Sequence, residues 1–465
     1  MKKSLLFILI AFFSYVGTFG QNVEGTLELQ LNANNHVPFW MRANKFGSVP
    51  SKGTSSSFIG NIYKHYGDTS TFKKFDYGLG LEVRANIGSE SNVTIIEGYG
   101  KVKYDFIEIR AGRFKEFLGL VDSSLSIGSF SISGNALGIP KIEVRVPEYW
   151  PRKTLISGRG NFAHGWYGYI PTKGTLAQTD SLYTYFHQKS LWIRIARPHW
   201  KIKFYGGFVD NAYWGDEYKL HESFNMTKFQ RYWSVISGKV WQESKVGNHV
   251  GNIDAKIEYD LKKYKISLYR QFFYEVGALW HLANIADGLL GITLENKEIS
   301  NSKITWSKIL VEALYTKNQA GEPWSKPTPT GNENYLNHYI YNYGWSYRNN
   351  GLGNPFITPK HTARENLPSS PYLIEYFINN RIWGFNSGFE GNLFGWSTIS
   401  KLSFTKNFGT RVTEKLFPQS LQFSFYLEGQ KKLSKSYFTK IVLGVDSGRL
   451  LPNSNGLTLS IIRKF

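Results

Sequence analysis

Between Trp324 and Pro371 the sequence sets Tyr335, Tyr339, Tyr341, Tyr343, Trp345, Tyr347 and Arg348 among Asn332, Asn334, Asn337 and Asn342. Aromatic rings cover the apolar faces of sugars, and planar amides and guanidinium groups bond to their hydroxyls. The mixture therefore suits carbohydrate binding, with Trp324, Tyr341, Tyr343, Trp345, Tyr347 and Arg348 as the candidate polysaccharide contacts. A second cluster, Asp210, Asn211, Tyr213, Trp214, Asp216 and Glu217, reads as a loop tip and adds Tyr213, Trp214 and Asp216 as candidates. For both clusters the other reading is an aromatic girdle at a membrane interface. The alternation of Tyr339, Tyr341, Tyr343, Trp345 and Tyr347 also favours a strand inside the first stretch.

Other chemistry finds no support. The 10 histidines stand singly, without an H-E-x-x-H pair, so no metal site is expected. His164 and His187 read as structural, hydrogen-bonded histidines. No G-x-S-x-G elbow, P-loop or G-x-G-x-x-G element occurs, and with 0 cysteines there is neither a thiol nucleophile nor a disulfide. A carboxylate pair for glycoside hydrolysis is a spatial property that spacing does not reveal. The expectation is a protein without catalytic residues or cofactors.

The elements that must position the aromatic clusters are strands. Tyr77, Leu79, Leu81, Val83, Ala85 and Ile87 alternate with Gly78, Gly80, Glu82, Arg84 and Asn86, which makes one face of an extended chain apolar and the other polar. Gly98, Gly100, Val102 and Tyr104 alternate likewise with Glu97, Tyr99, Lys101 and Lys103. A turn at Asp105 and Phe106 then leads into Ile107, Ile109 and Ala111 against Glu108 and Arg110. Residues 253–261 and 264–268 form another such pair across a tight turn. On this pattern Glu82, Arg84, Glu97, Lys101, Lys103, Glu108 and Arg110 line the lumen of a barrel, either pairing across it or selecting solutes.

A soluble sandwich also alternates. The two ends of the sequence favour a membrane barrel instead. Met1, Lys2 and Lys3 precede an apolar stretch from Leu5 to Val16 and small residues up to Gly20, which reads as a secretory signal peptide over residues 1–20. Leu457, Leu459, Ile461 and Phe465 share one face of a last strand. That ending resembles the signal read by the barrel-assembly machinery, with Arg463 departing from it. Aromatic residues at 16% with a mean hydropathy of only -0.32 fit a wall with a greasy outside and a polar inside. The expected fold is all-β: one single-chain transmembrane antiparallel β-barrel over residues 21–465, about 18 strands. It has long external loops, with 118–151 and 318–371 as loops or plug-like insertions. The formal net charge of +20 attracts polyanions. Export excludes nucleic acid, which leaves lipopolysaccharide phosphates, outer-membrane lipid and acidic surface glycans as partners.

Several segments are similar to the Wzi family of capsule-assembly proteins: residues 38–44 (PFWMRAN), 110–114 (RAGRF), 134–136 with 139–141, 162–166 (FAHGW) and 185–189 (YFHQK). Residues 315–319, 353–355, 379–381 and 446–450 (DSGRL) continue the series in order along nearly the whole exported chain. The resemblance implies a monomeric 18-stranded outer-membrane lectin with a small periplasmic helical element. Such a lectin holds capsular or extracellular polysaccharide at the cell surface. A porin or solute transporter is the alternative.

Overall fold

The computed structural model describes residues 22–67, 74–172, 179–219, 225–241, 244–275, 283–298, 302–321, 333–370 and 375–465. The expected signal peptide and Trp324 lie outside the described residues. Eighteen strands build the wall. The first six are β1 (Asn22–Asn32), β2 (Ser55–Lys64), β3 (Phe75–Gly88), β4 (Asn92–Tyr104), β5 (Ile107–Arg113) and β6 (Lys141–Trp150). Next come β7 (Ile156–Pro171), β8 (Ser181–Ile195), β9 (Ile202–Gly215), β10 (Asn248–Asp260), β11 (Tyr264–Tyr274) and β12 (Gly288–Asn296). The last are β13 (Ile304–Tyr315), β14 (Ile382–Leu393), β15 (Trp396–Asn407), β16 (Ser420–Lys432), β17 (Tyr437–Gly448) and β18 (Ser454–Lys464).

Each strand pairs antiparallel with the next, and β18 returns to β1 with Leu27 opposite Ile461 and Leu29 opposite Leu459. Closure leaves no edge, which a bilayer requires because it offers no water to an unpaired amide. Outward side chains such as Leu79, Leu81, Ile87, Ile109, Ile253 and Ile461 are exposed, and their strand neighbours face inward and are covered. The alternation therefore sorts a lipid face from a lumen face. The β4–β5 turn falls where the sequence places it, with Tyr104 opposite Ile107 and Asp105 in the left-handed region at φ 52°.

Strand ends Asn22 and Lys464 share one rim with short links at 105–106, 151–155, 261–263, 394–395 and 433–436. The other rim carries 33–54, 114–140 and the described parts of 216–247 and 316–381. Outer-membrane barrels keep short turns in the periplasm and long loops outside, so the second rim faces the cell surface.

Two differences from the sequence reading concern these loops. Residues 141–150 are a strand rather than loop, because Ile142 and Val144 point out while Glu143 points in; Pro140 and Pro147 obscure this short run in the sequence. Residues 338–345 form turns and bends, and only Ser346–Tyr347 pairs as strand, with Asn350–Gly351. The helices also come from the outer rim: α1 (Phe39–Arg42) and α2 (Lys228–Ser237). Among the described residues no helix stands at the periplasmic rim, where the resemblance implies one.

The hydrophobic core is in the lumen, formed where outer loops fold back inside the wall. Segment 114–140 buries Leu125, Ile127 and Phe130, and segment 333–367 buries Tyr335, Trp345 and Phe356. The Phe130 ring stacks on Phe273 of β11 at 4.3 Å, and Trp345 stacks on Tyr213 of β9 at 4.3 Å. Polar ties fix the depth: Ile127 N donates to Glu312 of β13 at 2.8 Å, Phe130 N to Gln271 at 2.7 Å, and Trp345 Nε1 to Ser131 O at 2.7 Å. Gly388 of β14 allows this approach, since a Cβ there would stand 2.7 Å from the Leu125 side chain.

Candidate functional site

The charged wall is the first candidate. All seven predicted lumen residues, Glu82, Arg84, Glu97, Lys101, Lys103, Glu108 and Arg110, lie on the face opposite the exposed apolar belt. Most are paired. Arg84 bonds Glu28 at 2.5 Å, Arg110 bonds Glu143 at 2.9 Å and Glu116 at 3.2 Å, and Arg145 bonds Glu108 at 2.7 Å. The inserted segment supplies Lys115 to Glu82 and Glu116 to the fully buried Lys141. Tyr63 OH donates to Glu82 at 2.9 Å and Glu97 at 2.8 Å. Lys101 and Lys103 lie over the Tyr66 ring at 4.1 and 5.7 Å. Opposite charges this close cancel at a distance, so these residues weld the insert to the wall more than they project a field into the lumen.

A cavity of about 300 Å³ remains between this wall and loop 33–54. Lys45, Arg84, Lys115 and Lys440 line it against only Glu28 and Glu82. Its size is that of a small-molecule site, and its surplus of cations suits a carboxylate or phosphate. Burial lowers the pKa of Lys45, opposed by nearby Glu428, and its ammonium reaches Tyr426 OH at 3.4 Å. No spacing rule points to Lys45 and Lys440, which come from opposite ends of the chain and meet only because the barrel closes.

The outer rim is the second candidate, and here the predicted aromatic residues separate. Tyr341, Trp345 and Tyr347 are buried, as are Tyr213 and Trp214, so none offers a face to a polymer outside. Tyr213 OH and Tyr167 OH both donate to Ser346 O, at 2.9 and 2.8 Å, and hold the insert to β7 and β9. Trp214, one position on, points to the other side of the wall and stacks on Tyr232 of α2. The expected loop tip is thus the end of strand β9, with Asp216 just beyond it, bonded to Lys219 at 2.7 Å.

Tyr343 (42% exposed) and Arg348 remain accessible, joined by Tyr339 (53% exposed) and His361. Arg348 is displayed by a tight hairpin: Tyr347 pairs with Asn350, and Arg348 and Asn349 take φ of 48° and 62°. Both central residues in the left-handed region make a type I′ turn, to which Asn is suited. The His338 ring packs on Tyr339 at 4.6 Å and Tyr341 at 4.8 Å, and its Nδ1 accepts from Ile340 N at 3.1 Å. Burial lowers its pKa to about 3, so the ring stays neutral and keeps that acceptor. Tyr376, at 6.4 Å from Tyr343 and 5.7 Å from His361, continues the aromatic patch, a link the sequence does not signal because it joins residues far apart in the chain. Among the described residues no group of three or more His, Asp or Glu side chains is placed to hold a metal ion.

A closed ring of 18 strands, an exposed apolar belt and long loops at one rim decide the location. The chain is an integral outer-membrane β-barrel with its loops at the cell surface. It resembles the solved structure of Wzi from Escherichia coli, described as a carbohydrate-binding β-barrel involved in group 1 capsule assembly. The TM-score is 0.58 and the identity 12%, over 98% of this chain and 88% of that one. Two Pseudomonas aeruginosa barrels also match. OccK5 (OpdH) has a TM-score of 0.47 at 9% identity, over 96% of this chain and 98% of the other. OccK11 (OpdR) has a TM-score of 0.42 at 7% identity, over 96% and 95%. At these identities the likeness is one of fold. No protein-family model and no curated protein matches the sequence.

Proposed function

We propose that this barrel binds capsular or extracellular polysaccharide at the cell surface, as a monomer and without turning it over. The observation that carries the reading is the fate of the outer loops. They fold inward, fill the lumen with Leu125, Phe130, Tyr335 and Trp345, and leave Tyr339, Tyr343, Arg348 and His361 exposed. A lumen filled this way supports holding over passage, and exposed rings and a guanidinium on the outer loops suit an anionic glycan. The fold shared with the carbohydrate-binding Wzi barrel supports the same reading. Tyr343 and Arg348 are the proposed contacts, with Tyr341, Trp345, Tyr347 and Tyr213 packed beneath them in the lumen core, whereas Trp214 faces the other side of the wall. Residues 1–20 are the export signal in this reading, and insertion runs through the barrel-assembly machinery.

The test is a strain lacking the gene. It should release glycan into the medium while making the usual amount, and purified barrel should retain acidic polysaccharide on an array, less so at high salt. Glycan still attached in that strain, together with a large steady current through the purified protein in planar bilayers, would replace this reading with that of a porin.

A further inference from the structure

Helix α2 lies outside the barrel. On β8 the outward side chains Leu191, Ile193 and Ile195 are exposed, whereas Lys189, His187 and Tyr185, on the same face and nearer the outer rim, are covered. β9 behaves alike: Phe204 and Phe208 are exposed, and Asp210, Ala212 and Trp214 are buried. The register pairs Lys189 with Asp210, His187 with Ala212 and Tyr185 with Trp214 without a bulge, so all six share the outer face of the wall. The cover is α2, whose Tyr232 stacks on Trp214 at 4.9 Å and whose Val235 packs beside Ala212 and Trp214 in a cluster separate from the lumen core.

The helix is built to stay there. Thr227 and Gln230 form a capping box at its start, and Gly238 at φ 66° ends it. The ammonium of Lys189 donates to the carbonyls of Val235 at 3.3 Å and Ile236, at the negative end of the helix dipole. Lys189 also bonds Asp210 at 3.0 Å, which in turn holds His249 at 3.0 Å. These polar groups sit on the lipid side of the strands, and the helix is what separates them from whatever lies beyond.

The height of the belt says what lies beyond. A strand tilted about 40° climbs about 2.5 Å of membrane normal per residue, and the apolar band of an outer-membrane barrel is about 25 Å tall. On β3 the exposed apolar run from Tyr77 to Ile87 spans that band. On β8 the run from Leu191 to Ile195 climbs only about half of it. The missing upper half is where α2 lies, and its face away from the wall carries Phe229 (75% exposed) and Trp233 (57% exposed), one turn apart. Exposed Lys228 and Lys239 stand at its two ends, a charge arrangement suited to lipid phosphates.

We propose that α2 completes the lipid-facing belt of β8 and β9, lying in the outer leaflet with Phe229 and Trp233 against acyl chains and Lys228 and Lys239 at headgroup phosphates. An interfacial helix has this make-up, with aromatic anchors on one face and cations flanking them. The assignment is independent of the glycan reading. Because the sequence has no cysteine, single sites can be labelled cleanly. Nitroxide is attached at Phe229→Cys, Trp233→Cys, Leu191→Cys in the belt and Glu365→Cys in an exposed surface loop. The barrels are placed in vesicles of phosphatidylethanolamine and lipid A, and folding is checked by the heat-dependent gel shift. Collision with oxygen over collision with a water-soluble nickel chelate should be several-fold higher at 229 and 233 than at 365, and close to the value at 191. Ratios at both helix sites equal to that at 365 would mean that water, or a partner other than lipid, covers this face, and would overturn the proposal.

Discussion

Replacing Glu312 with Ala should unseat the lumen insert without breaking the wall. The carboxylate is buried on β13 and accepts four hydrogen bonds: from Ser126 Oγ at 2.6 Å, Ile127 N at 2.8 Å, Tyr269 OH at 2.6 Å and Asn386 Nδ2 at 3.1 Å. Two of the donors belong to the insert, and stranding a buried donor costs roughly 1–3 kcal/mol. Docking of segment 125–131 should therefore weaken by about 3 kcal/mol, a population shift of the undocked state on the order of a hundredfold. The wall keeps its backbone pairs with β12 and β14, so the folded barrel survives. Hydrogen exchange at 125–131 should accelerate by that factor, and planar bilayers should record brief openings absent from the parent protein. Glu312→Gln, which retains an acceptor for Ile127 N, should fall between the two. Unchanged exchange at 125–131 in a folded Glu312→Ala barrel would refute the idea that this carboxylate anchors the insert.

Tyr343→Ala should weaken glycan binding by about two- to tenfold, the value of one exposed ring contact, as read by array titration. Arg348→Ala should remove most of the salt sensitivity of that binding, which titrations at low and high salt would reveal. Lys141→Ala leaves Glu116 and Gln188 without their shared buried cation. The loss of about 3–5 kcal/mol should lower the temperature of the heat-dependent gel shift. His338 has a pKa lowered to about 3 by burial, so its contribution to docking of the 333–347 segment is present above its ordinary pKa of 6.5 and is lost as pH falls toward 3. Exchange in that segment, corrected for intrinsic rates, should rise on acidification and do so less in His338→Gln.

Where a residue sits in the wall was largely legible from period two. Tyr77 to Ile87 became β3 with its apolar side outward, and Asp105 and Phe106 became a turn, because in a closed barrel local alternation and global position agree. Legibility stopped where position depends on partners remote in the chain. Tyr341, Trp345 and Tyr347 alternate like a strand, yet what they obey is the space inside the lumen, where Tyr213 and Ser131 await them. The same blindness hid α2. Only the register of β8 against β9 shows that Trp214 faces outward to receive it. The cavity cations Lys45 and Lys440 share no motif at all, only a neighbourhood.

The ties among the inserted segments and the wall join distant stretches of chain: Ser126 to Glu312, Trp345 to Ser131 across 214 positions, Phe39 to Asp446 across 407. Contacts of such separation form late and together, so a nascent copy has no stable halfway house. A chain truncated after β13 lacks both the seam to β1 and half the partners of its own interior, and has nothing with which to shield its greasy surfaces. Incomplete copies thereby expose surfaces that finished ones cover.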